Sequence, residues 1–407
     1  MAVRERKKFR EMGFDEKMGF ISEINPGFSD ASKETMRNWS SAAVPEAENH
    51  VTYQKTGVGI IPGILVNGKR YTPTMGTEEA SVVAGASNAA KMAGKRGGFR
   101  ASVEDIMTTT GQIEVVKIPA EKIEEAKLEI ERNEKRLIEM GNEATPNLVA
   151  AGGRILSITP RVIETRMGPQ LIINFEADCK DAMGAAATSK MAQGMSPEIE
   201  KLTGGEVIVM GKVISNLMLG RMVTVDATFD KESLALKKEI NGKMVEISGE
   251  EMVERICYTS AWGEADQFRA TTHNKGIMNG IDAVGLALGQ DTRALESAAH
   301  SYAAFGRPYT SLSYFEKDAN GDLHGHLEVP IPLGLVGGAT AINEQVKANI
   351  EATGCKNVPE LAMLIGSVGL AQNLAALRML VGEGVTSGHG SLHRKRVEEA
   401  EKLKRAR

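Results

Sequence analysis

The chain has 407 residues, of which 42% are hydrophobic, enough for two domains, or one large domain with an insertion, around a sizeable core. Lys plus Arg number 49 and Asp plus Glu 53, a net charge of −4, and aromatics are only 4%, so neither overall charge nor a base-stacking platform argues for nucleic acid. Cys179, Cys257 and Cys355 are far apart with no Cys-x-x-Cys spacing, which speaks against a zinc site or disulfide framework and for a reducing, cytoplasmic setting. The N-terminus runs into mixed charge, and no apolar run approaches the ~20 residues of a membrane span, so no membrane association is expected.

Residues 1–45 are polar and predict short helices and loops, punctuated by Pro26-Gly27 and Asn38-Trp39-Ser40. From Val58 to Tyr71 the pattern predicts strands, with Asn67-Gly68 as a hairpin turn. A helix of small residues follows over Ala80–Ala93, with Thr77 as cap and Glu78 and Glu79 in its first turn; Gly94 and Gly97-Gly98 end it. Gln112–Ile118 predicts a strand, and Pro119 opens a helix with Ile123, Ala126, Ile130 and Leu137 on one stripe. Strands near Arg154–Arg161 and Leu171–Ala177, a helix over Asp181–Met195 and a strand over Glu206–Ile214 complete a β-α-β-β-α-β order. The rest predicts helices, interrupted by one hairpin around Asn320-Gly321. The expected fold is α/β (α+β). A large, mainly helical domain spans 1–108 and 216–385, a ferredoxin-like domain is inserted at 109–215, and a short flap or tail covers 386–407.

Gly57-Val58-Gly59-Ile60-Ile61-Pro62-Gly63 has the wrong spacing for a dinucleotide loop and leads to a strand, so it reads as a turn. His324 and His326 share a strand face but have no acidic or Cys partner at a motif spacing, so they read as surface histidines and no metal is expected. In Thr272–Asp282, a lysine sits among Asn, His and two glycines that permit close approach. Lys275 there is either an oxyanion stabiliser partly withdrawn from water or a solvated lysine in a helix N-terminal loop. His389, in a Ser/Gly loop after a helix, is placed to donate a proton. Glu79 at a helix start is ordinarily a carboxylate facing the helix dipole.

Together these segments resemble the class II 3-hydroxy-3-methylglutaryl-CoA (HMG-CoA) reductases. The matching stretches are Glu48-Asn49, Thr77–Ala84, Ala86–Lys91, Asp181–Ala185, Phe268-Arg269-Ala270 running into His273–Gly280, Gly289-Gln290-Asp291, Gly334–Thr340, Leu370–Leu374, and Gly388-His389 with Ser391-Leu392-His393. The resemblance implies reduction of HMG-CoA by two NAD(P)H to mevalonate and CoA. In that reading Lys275 stabilises the thioester oxyanion, His389 protonates the departing thiolate, Glu79 is the acid of the second reduction, and Asp291 tunes their charges. Ser81, Arg269 and Asn279 hold the substrate, and Asp181, Met183 and Gly184 carry the cofactor motif. It also implies a homodimer, or an assembly of such dimers, with the active site at the subunit interface.

The sequence departs from the family pattern at several points. Ala80 replaces a proline, Ala186 an asparagine after Gly184, and Gly390 a methionine, and only eighteen residues follow His389. A diverged reductase of another acyl-CoA and a catalytically weak binding homologue are therefore the competing readings. NADH-selective members carry an acidic residue after Gly-Gly-x-Arg. Here Gly152-Gly153-Arg154 leads to Ile155, so NADPH is expected to serve at least as well as NADH, unless Ile155 is simply a core strand residue. The basic tail Arg394–Arg407 either contacts the CoA phosphates or forms a solvated helix.

Overall fold

The computed structural model describes residues 12–24, 29–39, 49, 51–52, 54–207, 214–240, 243–382 and 384. The chain divides into two compact units, Met1–Gly57 and Val58–Arg407. The first contains helices α1 (Phe14–Ile24) and α2 (Asp30–Trp39). Arg37 on α2 pairs with Asp15 and lies 4.8 Å over the Phe14 ring, tying the two helices together.

The second unit opens with strands β1 (Val58–Ile60), β2 (Ile64–Val66), β3 (Lys69–Tyr71) and β4 (Thr74–Gly76), helix α3 (Ala80–Gly94) and strand β5 (Phe99–Val103). Asn67 and Gly68 both have positive φ (50° and 77°), which makes the β2–β3 turn the mirror-image type that matches strand twist. Then come β6 (Thr108–Val116), α4 (Ile123–Arg132), α5 (Glu134–Glu143), α6 (Pro146–Ala150), β7 (Arg154–Thr165), β8 (Gly168–Asp178), α7 (Ala185–Thr203) and β9 (Glu206–Val207). The chain continues through β10 (Met222–Phe229), α8 (Lys231–Leu234), β11 (Leu236–Ile240), β12 (Lys243–Ile247), α9 (Gly249–Ala265), α10 (Gln267–Ala287) and α11 (Thr292–Ala303). The described elements close with β13 (Ser313–Lys317), β14 (Leu323–Pro330), α12 (Ala339–Ile342), α13 (Glu344–Thr353) and α14 (Val358–Val381).

Two larger sheets organise this unit, one of six strands in the order β13-β14-β10-β5-β2-β3 and one of four in the order β7-β8-β6-β9. The four-stranded sheet has the antiparallel ferredoxin-like order that the β-α-β-β-α-β pattern predicts. Helices α4, α5 and α7 bury Ile123, Ile130, Leu137, Met191, Met195 and Ile199 against its inner face, a core separate from that of the six-stranded sheet.

Three features differ from expectation. The stretch read as mostly helical contains β10, the central partner of both β14 and β5, and the hairpin β11–β12. The helix expected from Asp181 begins at Ala185, so Asp181–Gly184 is a loop. An apolar run of membrane-span length does exist: α14 has 24 residues and enough hydropathy, but two-thirds of its apolar window is buried, which is how a central core helix reads. Its charged Glu360 and Arg378 sit near its ends.

Candidate active site

A cavity of roughly 1220 Å³ opens between α3, α10 and α14. Its lining includes Glu79, Ser81, Arg269, Lys275 and Asn279, so five of the residues singled out from sequence meet in one place. The cap of α3 lies two residues later than expected, at Glu79 instead of Thr77. Glu79 is its N-cap and accepts from the Ser81 N–H at 3.2 Å, while the Thr77 hydroxyl accepts from the Glu79 N–H at 3.1 Å. The cap geometry fixes the Glu79 carboxylate and Ser81 at the mouth of the helix, where its dipole favours negative charge.

The segment Thr272–Asp282 is not an N-terminal loop but the middle of α10, which Asp266 caps through the Phe268 N–H at 3.1 Å. Helical spacing puts Arg269, Thr272, Gly276, Asn279 and Ala283 on the cavity face. Lys275 lies on the edge of that face and is exposed rather than withdrawn from water. Its flanking glycines serve packing: a Cβ on Gly280 would stand 2.9 Å from the Val368 carbonyl oxygen of α14, and one on Gly276 3.3 Å from the Ala376 Cβ. Arg269 is 8% exposed, and burial pulls its pKa below the usual arginine value. A buried cation of this kind on a cavity wall suits a carboxylate ligand.

Behind Lys275 lies a polar network. His273 is buried, with Nε2 2.6 Å from the Ser313 hydroxyl; Ser313 donates to Asn373 Oδ1 at 2.8 Å, and Asn373 Nδ2 donates to the His273 carbonyl at 3.1 Å. Because Ser313 donates onward, it accepts from His273, which fixes the Nε2–H tautomer. Burial and the Arg269 charge push the His273 pKa down to about 3.

Two carboxyl groups escaped the sequence reading. Asp282 and Glu296 both line the cavity and are hydrogen-bonded to each other. Burial, then the bond to Glu296, pushes the Asp282 pKa up to about 8. The signal was present: Asp282 follows Asn279 by three residues and Lys275 by seven, one face of a helix, but only once that segment is read as a helix.

The remaining candidates fall elsewhere. Asp291 is the N-cap of α11; its carboxylate accepts from the Arg293 and Ala294 N–H groups and pairs with the Arg293 guanidinium at 3.0 Å, beside the cavity rather than lining it. His389 lies outside the described residues. Asp181, Met183 and Gly184 do not line the cavity. The Asp181 carboxylate accepts from the Val358 N–H at 2.9 Å, and the Met183 carbonyl from the Thr109 hydroxyl at 2.8 Å. Gly184 has φ of 108°, and a Cβ there would stand 2.9 Å from the Cys179 sulfur. It caps α7 without a side-chain bond, and Ala185 and Ala186 are exposed, so the first-turn N–H groups suit a dinucleotide pyrophosphate. Ile155 is a core residue, 2% exposed, its N–H bonded to Asn142 Oδ1 at 2.9 Å. Its side chain packs in the core of the four-stranded unit, whereas Arg154 is exposed. An aspartate at position 155 would be buried and would perturb folding rather than cofactor choice. His324 and His326 do have an acidic partner, Asp226 across the strand pair, at 3.3 and 2.9 Å from Oδ1.

Residues 14–394 match the family described as hydroxymethylglutaryl-coenzyme A reductase. The chain is 40% identical over 391 residues to the 3-hydroxy-3-methylglutaryl-coenzyme A reductase of Archaeoglobus fulgidus, covering 95% of this chain and 84% of that protein. It is 32% identical to the probable reductase of Borreliella burgdorferi, covering 85% and 76%. Among solved structures it is similar to the class II reductase of Streptococcus pneumoniae bound to NADPH, with TM-score 0.76, 31% identity, and 92% and 99% of the two chains covered. The fold, the matched span and these relatives establish that the chain belongs to the HMG-CoA reductase family, class II, whose members are NAD(P)-dependent oxidoreductases.

Proposed function

We propose that the cavity between α3, α10 and α14 is where this chain reduces HMG-CoA to mevalonate, and that Lys275, Glu79, Arg269, Ser81 and Asn279 carry the substrate chemistry. The observation that carries this reading is their convergence on one cavity. Arg269 takes the substrate carboxylate, and Ser81 and Asn279 its polar groups. Lys275 presents an ammonium where the carbonyl oxygen gathers charge. Glu79 stands opposite as the proton donor of the second reduction, His389 protonates the thiolate, and Asp291 holds charge at the cavity edge. The nicotinamide cofactor supplies the hydride when bound; the Asp181–Gly184 loop and the N-terminus of α7 hold its anionic centre. The reading as a reductase of another acyl-CoA or a weak binding homologue is not favoured by the relatives.

The test is NADPH oxidation followed with both NADPH and HMG-CoA saturating. Lys275→Ala is expected to lower kcat by ~10²–10³-fold while HMG-CoA still binds within a few fold; near-normal kcat would refute the assignment.

We further infer that NADPH is used at least as well as NADH. The support is the exposed Arg154, which suits a 2′-phosphate; Ile155 no longer contributes. Comparing kcat/KM for both cofactors decides it, and a tenfold preference for NADH would overturn it. The cofactor loop lies apart from the substrate cavity within one chain, which supports a homodimer in which a second copy brings its loop to this cavity. Exposed Tyr258 (71%), Trp262 (58%) and Phe268 (89%) on α9 and α10 offer apolar surface for such a contact. We divide the second unit at 108 and 216, following its two cores. Cys179, Cys257 and Cys355 are all unpaired, which suits the cytoplasm.

A further inference from the structure

Reducing a thioester to an alcohol adds two hydrides to one carbon, and two protons must follow: one to the CoA sulfur, one to the alcohol oxygen. A cavity filled by substrate and cofactor excludes water, so the groups that give up those protons need a path to recover them. Among the described residues one chain of hydrogen bonds leads from the cavity wall outward. Asp282 and Glu296 line the cavity and are bonded to each other. Glu296 Oε2 lies 2.8 Å from His300 Nε2, and His300 is 36% exposed and outside the cavity lining. His300 Nδ1 lies 2.7 Å from the Tyr309 hydroxyl, the two rings stacked at 6.0 Å, and the buried Asn274, next to Lys275, donates to that hydroxyl at 3.0 Å.

The donors order themselves. Asn274 Nδ2 can only donate, so the Tyr309 oxygen accepts from it and its O–H is directed to His300 Nδ1. The neutral ring then carries its proton on Nε2, aimed at Glu296. When the ring is charged, the Tyr309 hydroxyl rotates and accepts instead, so the same frame holds both protonation states. At the inner end, Asp282 Oδ1 is buried without a hydrogen-bond partner among the described residues. An ionised carboxylate would leave that oxygen uncompensated, so the pair's single proton belongs on Asp282.

We propose that His300, Glu296 and Asp282 form a proton line that recharges the catalytic cavity from solvent once its acid, Glu79, has given up a proton in the second reduction. This rests on the reading of the cavity as the reductase site. In the step itself the Asp282 O–H bond breaks as the O–H bond re-forms on the discharged Glu79 carboxylate, across the cavity that both residues line. The Asp282 carboxylate then takes a proton through Glu296 from Nε2 of the charged His300 ring. His300 is charged again by a solvent or buffer acid, so each turnover draws in through this line the proton that leaves on the mevalonate hydroxyl, while the CoA sulfur takes its proton from His389. The pKa directions agree: Asp282 is pushed up to about 8, mainly by burial, and the His300 bond holds Glu296 low, with Lys275 adding to it. The other charged groups around the line are Glu78 and Glu79 at the start of α3, Lys275 and Arg269 on α10, Arg293 on α11 and Arg378 on α14. Asp282, Glu296 and His300 are therefore positioning residues acting through the group that touches substrate.

The test uses the full-length enzyme with His300→Gln, Asp282→Asn and Glu296→Gln. In weak buffer, His300→Gln is expected to lower kcat at least fivefold with KM for HMG-CoA within twofold, and added imidazole is expected to restore most of the loss. Asp282→Asn is expected to lose kcat without imidazole rescue, and to lose the protonated-carboxyl infrared band that the wild type keeps at pH 7. Wild-type kcat for His300→Gln in weak buffer, or a loss indifferent to imidazole, overturns the proposal; so does an unchanged carboxyl band in Asp282→Asn. Should the inner variants fail to fold, the partly exposed His300 variant decides alone. If the wild type itself oxidises no NADPH with HMG-CoA, the reading of the cavity has failed; if it does and the variants keep wild-type buffer dependence, only the proton line has.

Discussion

His273 shows how a residue beside the chemistry is held neutral for structural reasons. Its pKa is depressed from about 6.5 when unfolded to about 3 in the fold, so its contribution to stability is complete above pH 6.5 and drains away as pH falls towards 3. Each pH unit in that window costs about 1.4 kcal/mol from this group. His273→Gln keeps a donor for Ser313 but cannot titrate, and urea unfolding between pH 6.5 and 4 is expected to show a shallower loss of stability than wild type; parallel curves would contradict this. At this scale the sequence was legible where a residue's type implied its chemistry, as for Lys275 and Arg269, whose charges face the cavity. It was not legible for Ile155, because a β-strand alternates faces and a one-residue uncertainty in alignment decides between ribose and core. The chain has a register shift between Ile155 and Ser157, where such counting fails. Asp291 was read as a charge regulator; the structure adds that its carboxylate caps α11, a contact the residue's type alone does not announce.

At the scale of elements, hairpins and the ferredoxin-like order were readable from turn residues and from alternation, as at Asn67-Gly68 and Asn320-Gly321. The strand β10 was missed because Met222–Phe229 was folded into a long stretch read as helical, although its alternating burial is regular along all eight residues. Periodicity in so short a window competes poorly with helical neighbours. The crossing of α10 and α14 was invisible as well, since it depends on glycines meeting another helix far along the chain. Gly280→Ala is expected to destabilise the protein by ~1–3 kcal/mol, because the new Cβ meets a backbone carbonyl of α14 that cannot step aside. It should also weaken HMG-CoA binding, since Asn279 and Lys275 ride on the same helix. Thermal unfolding with and without HMG-CoA checks both, and an unchanged Tm would show that the helices can part freely.

For the whole molecule, the Asp181–Gly184 loop proposed for the cofactor is not part of the lining of the cavity proposed for the substrate, so activity is expected to follow association. Sedimentation across a hundredfold dilution should show a dimer wherever turnover is full, and a fully active monomer would exclude the shared site. The inserted unit has a second consequence. Strands β5 and β10 lie side by side with Val103 opposite Val223, so they form a hairpin whose turn is the whole four-stranded unit, about 120 residues long. The two chain crossings are pinned together: Arg221, fully buried, donates to the Thr108 carbonyl at 3.2 Å, the Thr109 hydroxyl at 2.9 Å and the Ala182 carbonyl at 3.0 Å. Closing so long a loop as a random coil is entropically expensive and slow. Once the four-stranded unit has condensed, its two ends already sit together and the closure becomes local. Assembly of the central strand pair of the larger sheet is therefore expected to follow condensation of the smaller one, so damage to the core of the four-stranded unit is expected to slow formation of the six-stranded sheet as well.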